Sequence, residues 1–288
     1  MKQLFKYLKT STTMLIFVFI LFGSQAQGQD QVSYKNIWDN PYTWKSLIVN
    51  VHWFDVGMPI GLPELMVGVG ADYQLNKRVL FSFDYSKEWL SHAIGADDIP
   101  SPAYLEAGGT FCFASWLRNG KVKFSWTDAS MRYTVKVPCK VLKQYGVRGG
   151  VLDYNNYEIY NTKGIYTGVS IITTRNRMID ISGIRSDLTD CETRKNFYID
   201  VMYGAVVTIG DFNVNDSSFT NRFGYRMGCM WTGASIWGLY TKSGIEFGLK
   251  PGIFNNYFLL FRFAISLGFE VPSLSNKEEK QKDGLSGE

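Results

Sequence analysis

Charged residues are scarce in this 288-residue chain: Asp, Glu, Lys and Arg make up 19%, against about 25% in an ordinary globular domain. Histidine is scarcer still, with His52 and His92 alone, which leaves little for general acid–base chemistry. The four cysteines, Cys112, Cys139, Cys191 and Cys229, are too few for a disulfide scaffold at this length. None sits in a C-x-x-C pair or a His/Cys cluster, so neither a metal site nor a haem or other cofactor is expected. Beyond the first thirty residues there is no apolar run near the ~20 residues of a membrane helix, which excludes a helical membrane bundle. The apolar fraction of 45% excludes disorder as the main state. What the chain does have is aromatic residues, at 16%, and 28 glycines. With a mean hydropathy of −0.09, that combination is unusual for a soluble enzyme.

Residues 1–26 read as a secretory signal peptide. Lys2, Lys6 and Lys9 form a basic start, Met14 to Phe22 is an apolar core, and Ser24 and Ala26 are the small residues that place cleavage after Ala26. The apolar core is about half a membrane span, which argues against an anchor helix. Cleavage removes three lysines and takes the net charge from +4 to +1, so no argument for nucleic-acid binding survives.

After cleavage the dominant signal has period two. Leu65, Val67, Val69, Ala71 and Tyr73 alternate with small or polar neighbours, as do Val79–Tyr85, Val122–Trp126, Tyr133–Val137, Phe223–Trp231 and Tyr257–Phe269. Each run predicts a strand with one apolar and one polar face. Weaker runs at 46–55, 105–116, 145–154, 164–173, 197–208 and 240–249 bring the expectation to about twelve antiparallel strands, with ten as the alternative. A soluble β-sandwich would carry Lys, Glu and Thr on its outer face. Here one face is heavily aromatic and the other is rich in Gly, Ala and Ser. Small residues suit a confined lumen. Aromatics near strand ends (Trp53, Tyr73, Tyr85, Trp126, Trp231, Tyr257, Phe269) suit interfacial girdles. The pattern predicts an all-β, up-and-down transmembrane β-barrel over 46–271, with a periplasmic lead-in at 27–45 and a disordered polar tail at 272–288. Residues 74–77 and 117–120 read as tight turns, and 88–104 as a long outer loop. Segment 174–195 fits neither side of a twelve-stranded barrel, which points to a miscounted or hidden strand.

In this register the lumen-lining set is His52, Asp72, Asp84, Glu106, Lys123, Arg132, Lys136, Arg148, Asp200, Arg226, Glu246 and Arg262. Acids concentrate on the early strands and bases later. Charges in so narrow a space must be paired or wet. They form either a salt-bridge ladder that fills the lumen or a constriction that filters solutes. Cys139 and Cys191, in connecting segments, are candidates for a disulfide. Ser91–His92 beside Asp97 and Asp98 matches no hydrolase spacing.

The stretches SGIEFGLKPGIFNNYFLLFRFAISLGF, QYGVRGGV and NFYIDVMYGA resemble a family of uncharacterised outer-membrane barrel proteins of Bacteroidota. The resemblance covers the second half of the chain and carries over no catalytic residue. It implies an integral barrel in the outer membrane of a Gram-negative bacterium and a role in a larger envelope complex. The expected partners are outer-membrane lipid, lipopolysaccharide, envelope proteins and the barrel-assembly machinery. The leading expectation is a non-enzymatic structural or accessory subunit. The alternatives are a narrow porin-like channel for small solutes or ions, and a lipid-modifying enzyme.

Overall fold

Period-two alternation becomes strand along the whole described chain. The computed structural model describes residues 34–42, 46–59, 64–88, 103–128, 131–156, 160–180, 190–208, 220–234, 239–253 and 257–269. The elements are β1 (Lys35–Asp39), β2 (Leu47–Pro59), β3 (Glu64–Gln74), β4 (Val79–Glu88), β5 (Ala103–Asp128), β6 (Met131–Asn156) and β7 (Tyr160–Asp180), followed by β8 (Asp190–Thr208), β9 (Thr220–Asn221), β10 (Phe223–Ala234), β11 (Leu239–Leu249), β12 (Gly252–Ile253) and β13 (Tyr257–Phe269). Strands β2 to β8, β10, β11 and β13 each pair antiparallel with the next, and β13 pairs with β2 from Leu47↔Phe269 to Pro59↔Phe258. The result is a closed barrel of ten strands, so the sheet keeps no edge along the barrel wall. The expected signal peptide at 1–26, most of the expected loop at 88–104, including Ser91 and His92, and the expected tail at 272–288 lie outside the described residues.

The count is ten, the alternative expectation, rather than twelve, because residues 117–120 are not a turn. The β5–β6 ladder runs straight through Asn119↔Lys140 and Gly120↔Cys139. The four runs expected at 105–116, 121–127, 132–137 and 145–154 are therefore two strands of 26 residues each. Gly120 serves packing rather than reversal of the chain: a β-carbon there would lie 2.6 Å from Val141 Cγ2. The 174–195 segment resolves the same way, since β7 runs on to Asp180 and β8 starts at Asp190. By contrast, 74–77 is a turn as expected, closed by the Leu75 N–H donating to the Val79 carbonyl and by Asn76 Oδ1 accepting from the Arg78 and Val79 amides.

The outer face is apolar. Val69, Phe81, Phe83, Phe111, Val147, Ile165, Val169, Ile199, Val201, Phe247, Phe263 and Ile265 are all exposed on the barrel exterior. A continuous apolar exterior of this kind is the mark of a membrane-type barrel rather than of a soluble monomer. The inner face holds the polar and charged residues, which are buried.

About ten residues cross a bilayer in a tilted strand, so β5 and β6 overshoot the wall. Up-and-down connectivity puts their tips at the end of the barrel where β2 begins and β13 finishes, here called the terminal end. A bulge between Cys112 and Ala114 marks the exit of β5. Beyond it, Val122, Phe124, Val137, Cys139 and Val141 bury against Ile179, with Trp126 and Cys191 packed alongside. In the ladder this buried side is continuous with the outer, Trp116–Lys143 side of the barrel. Once free of the wall, the β5–β6 ribbon turns its apolar face onto the ends of β7 and β8, as strand twist allows. Trp126 is therefore no girdle residue; it stacks on Tyr133 with ring centroids 5.6 Å apart. The lead-in holds β1, which pairs with β7 at Lys35↔Asp180 and Asp39↔Arg177. Asp39 also accepts from the Lys140 amide and forms a 3.1 Å ion pair with Arg177, tying lead-in, ribbon and β7 together.

The candidate disulfide between Cys139 and Cys191 is not formed. Neither cysteine is in a disulfide, although they share this one cluster. Burial pushes the Cys139 thiol up, which keeps it in the less reactive protonated form.

Candidate functional site

The lumen is where charge collects, and strand order explains how. Acids Asp55, Asp72, Asp84 and Glu106 stand on β2 to β5. Bases Arg226, Lys242 and Arg262 stand on β10, β11 and β13, which closure of the barrel brings opposite them. The segregation of sign along the sequence thus becomes pairing across the lumen.

The first cluster centres on Arg226, which is 2% exposed. Its Nη1 and Nη2 donate to both oxygens of Glu106 at 2.5 and 2.7 Å, across the barrel from β10 to β5. Its Nε donates to Asp200 at 2.7 Å, and Nη1 also reaches the Tyr104 hydroxyl at 3.0 Å. Such two-pronged, charge-assisted contacts fix a guanidinium in both position and plane. Arg148 lies 3.3 Å from both Glu106 and Asp200, so two arginines share two carboxylates. Glu246 sits 3.8 Å from Arg226 and accepts a hydrogen bond from the Tyr198 hydroxyl.

Glycines make room for the rings in this cluster. A β-carbon on Gly108 or Gly150 would strike Tyr166, and one on Gly228 would strike Tyr198. The ring of Tyr166 takes the Arg226 guanidinium at 4.7 Å, and the ring of Tyr198 takes that of Arg148 at 3.9 Å. The small inward residues of the sequence are thus the cradles of inward tyrosines.

The second cluster centres on Arg262, which donates to Asp55 at 3.1 Å and to Asp84. His52 lies between the same acids, 3.3 Å from Asp55 and 3.6 Å from Asp84. Asp55 is three residues from His52, a spacing that strict alternation would send to the opposite face. The irregular pairing of β2 between His52 and Asp55 restores both to the lumen. Toward the terminal end Lys242 bonds Asp72 at 2.8 Å, Asn50 joins Asp72 and Ser266, and Arg194 crosses from β8 to Gln74 on β3. Tyr240 closes this level with a hydrogen bond to Glu192. The space left between the clusters is about 80 Å³, bounded by Asp84, Glu106, Arg148, Tyr198 and Arg262 among others. That is room for a few water molecules.

Of the residues expected in the lumen, His52, Asp84 and Arg262 meet in one cluster. Glu106, Arg148, Asp200, Arg226 and Glu246 meet in the other, and Asp72 lies beside them. Lys123 and Lys136 do not line the lumen: they face each other on the β5–β6 ribbon beyond the wall and are exposed. Their alternation is in phase with the lumen face, but the ribbon has left the barrel. Arg132 lies on the same ribbon, in register with Thr127. Sequence reasoning missed Asp55, because of the irregular pairing. It also missed Tyr104, Tyr166 and Tyr198, because aromatics were assigned to the outer face; the glycine directly across the ladder from Tyr166 or Tyr198 is the signal that could have found them. Compared with known proteins, the chain matches no family model and no curated sequence.

Proposed function

We propose that the chain is an integral outer-membrane barrel that works as a non-enzymatic structural or accessory subunit of an envelope complex, with its lumen closed. The observation that carries this reading is the set of bonds spanning the lumen: Arg226 to Glu106, Arg262 to Asp84, Lys242 to Asp72 and Arg194 to Gln74. A barrel filled by its own side chains offers no path, and its useful surfaces are then its rim and its extensions. The apolar exterior and the signal-like sequence of residues 1–26 support insertion into an outer membrane, and in this reading the terminal end of the barrel, with the β5–β6 ribbon, faces the periplasm.

Affinity purification of the tagged protein from its native membrane in mild detergent tests the accessory role. A stoichiometric partner, stable through size exclusion, is expected. Recovery of the protein at full yield as a lone barrel would overturn the accessory role.

A further inference from the structure

The β5–β6 ribbon carries a long open strand edge. Pairing of β5 with β4 stops at Val79↔Phe111, followed by one bond from the Cys112 amide to the Arg78 carbonyl. From Phe113 to Asp128, β5 pairs with β6 alone among the described residues. At ~3.3 Å per residue this edge is about 50 Å long. Natural sheets seldom leave such an edge uncovered, because its unmatched N–H and C=O groups invite another strand.

The two edges of the ribbon are treated differently. On β6, Pro138 has no N–H to give and the Lys140 amide is already taken by Asp39. On β5, no proline interrupts Phe113–Asp128. Among the described residues β6 also lacks a second partner before Leu142, but its edge is broken at Pro138 and Lys140, so the longer uninterrupted edge is that of β5.

Charge says what the edge accepts. One face of the ribbon is buried against Ile179. The other carries the exposed side chains of Lys121, Lys123, Lys136 and Lys140, and the register sets Lys123 directly opposite Lys136. Like charges in that position destabilise a pair of strands. From Ser115 to Thr127 that face of β5 has no acid, and no salt bridge engages these lysines among the described residues. A second copy of the same edge would bring lysine against lysine. An acidic strand would relieve the repulsion already present.

We infer that the β5 edge from Ala114 to Asp128 binds an extended, acidic segment of another protein by strand addition. Main-chain hydrogen bonds supply the affinity. Carboxylates at every second residue meet the lysine face and supply the selectivity. This names the kind of partner for the accessory role, and it rests on that role only for the existence of a partner. A conducting lumen would remove the closed-barrel reading and leave the edge untouched.

The test uses the full chain refolded in detergent micelles and three short labelled peptides: alternating Glu and Val, alternating Lys and Val, and alternating Glu and Pro. The Glu–Val peptide is expected to bind and to slow hydrogen exchange at the amides of 114–128. The Lys–Val peptide is expected not to bind. The Glu–Pro peptide matches the charge but lacks half the main-chain donors, and it is expected to leave exchange unchanged. Reversing both exposed charges, Lys121→Glu with Lys123→Glu, should weaken Glu–Val binding about tenfold or more. Equal binding by Glu–Pro, protection confined to residues outside β5, or binding indifferent to the charge reversal would overturn the inference.

Discussion

Replacing Arg226 with alanine is expected to cost the barrel about 3–5 kcal/mol, seen as a lowered urea midpoint for the protein in micelles. The guanidinium satisfies Glu106 with two bonds and Asp200 with one, and all three groups are buried. Truncation leaves two carboxylates with one cation, Arg148, which is already shared between them, and with the Tyr104 hydroxyl on Glu106. The size of the effect comes from the charges left behind, not from the strength of the pair itself. A variant in which Arg226, Glu106 and Asp200 are all replaced by apolar residues of similar volume should therefore recover much of the loss. If Arg226→Ala unfolds at the wild-type midpoint, the cluster does not hold the barrel together.

Gly150→Val should be nearly as damaging, for the opposite reason. A β-carbon at Gly150 would meet the Ala107 carbonyl, the Gly108 Cα at 2.7 Å and the Tyr166 ring at 2.8 Å. Two of the three obstacles are backbone of the neighbouring strand, which cannot step aside without breaking the ladder. Overpacking of this kind costs about 1–3 kcal/mol or more. It should also displace Tyr166 from under Arg226. Gly149→Ala is the control. Its nearest obstacle is the Tyr166 carbonyl at 3.3 Å, so it should fold with nearly wild-type yield. The folded fraction, read from the shift in gel mobility on heating, separates the two. Equal yields would mean that the inward glycines are not there for the tyrosines.

These two sites also show how far the sequence could be read. Alternation in 65–73, 79–85 and 257–269 gave strands, and the small polar face gave a barrel, because period two is imposed locally by the pleat. Arg226, Glu106 and Asp200 were assigned to the lumen from parity alone. That worked wherever a strand stayed regular inside the wall. It failed at Asp55, where the uneven pairing of β2 shifts the phase by one residue. At Lys123 and Lys136 the phase held, but the strand had already passed the end of the barrel, and nothing in a two-residue period reports where a wall stops. The preferred count of twelve failed at Asn119-Gly120, leaving the alternative of ten, because a glycine chosen for packing against Val141 has the same one-letter signature as a glycine chosen for a turn. Which acid meets which base was beyond local pattern altogether. Arg226 and Glu106 are brought together only when β13 closes on β2.

The central claim is that the lumen is shut by its own charges, and single-channel recording of the refolded protein in a planar bilayer tests it most directly. Protein shown to be folded should insert without conducting. Steady, ion-selective steps from wild-type protein that shift when Arg262 is neutralised would contradict the claim and make the barrel a channel.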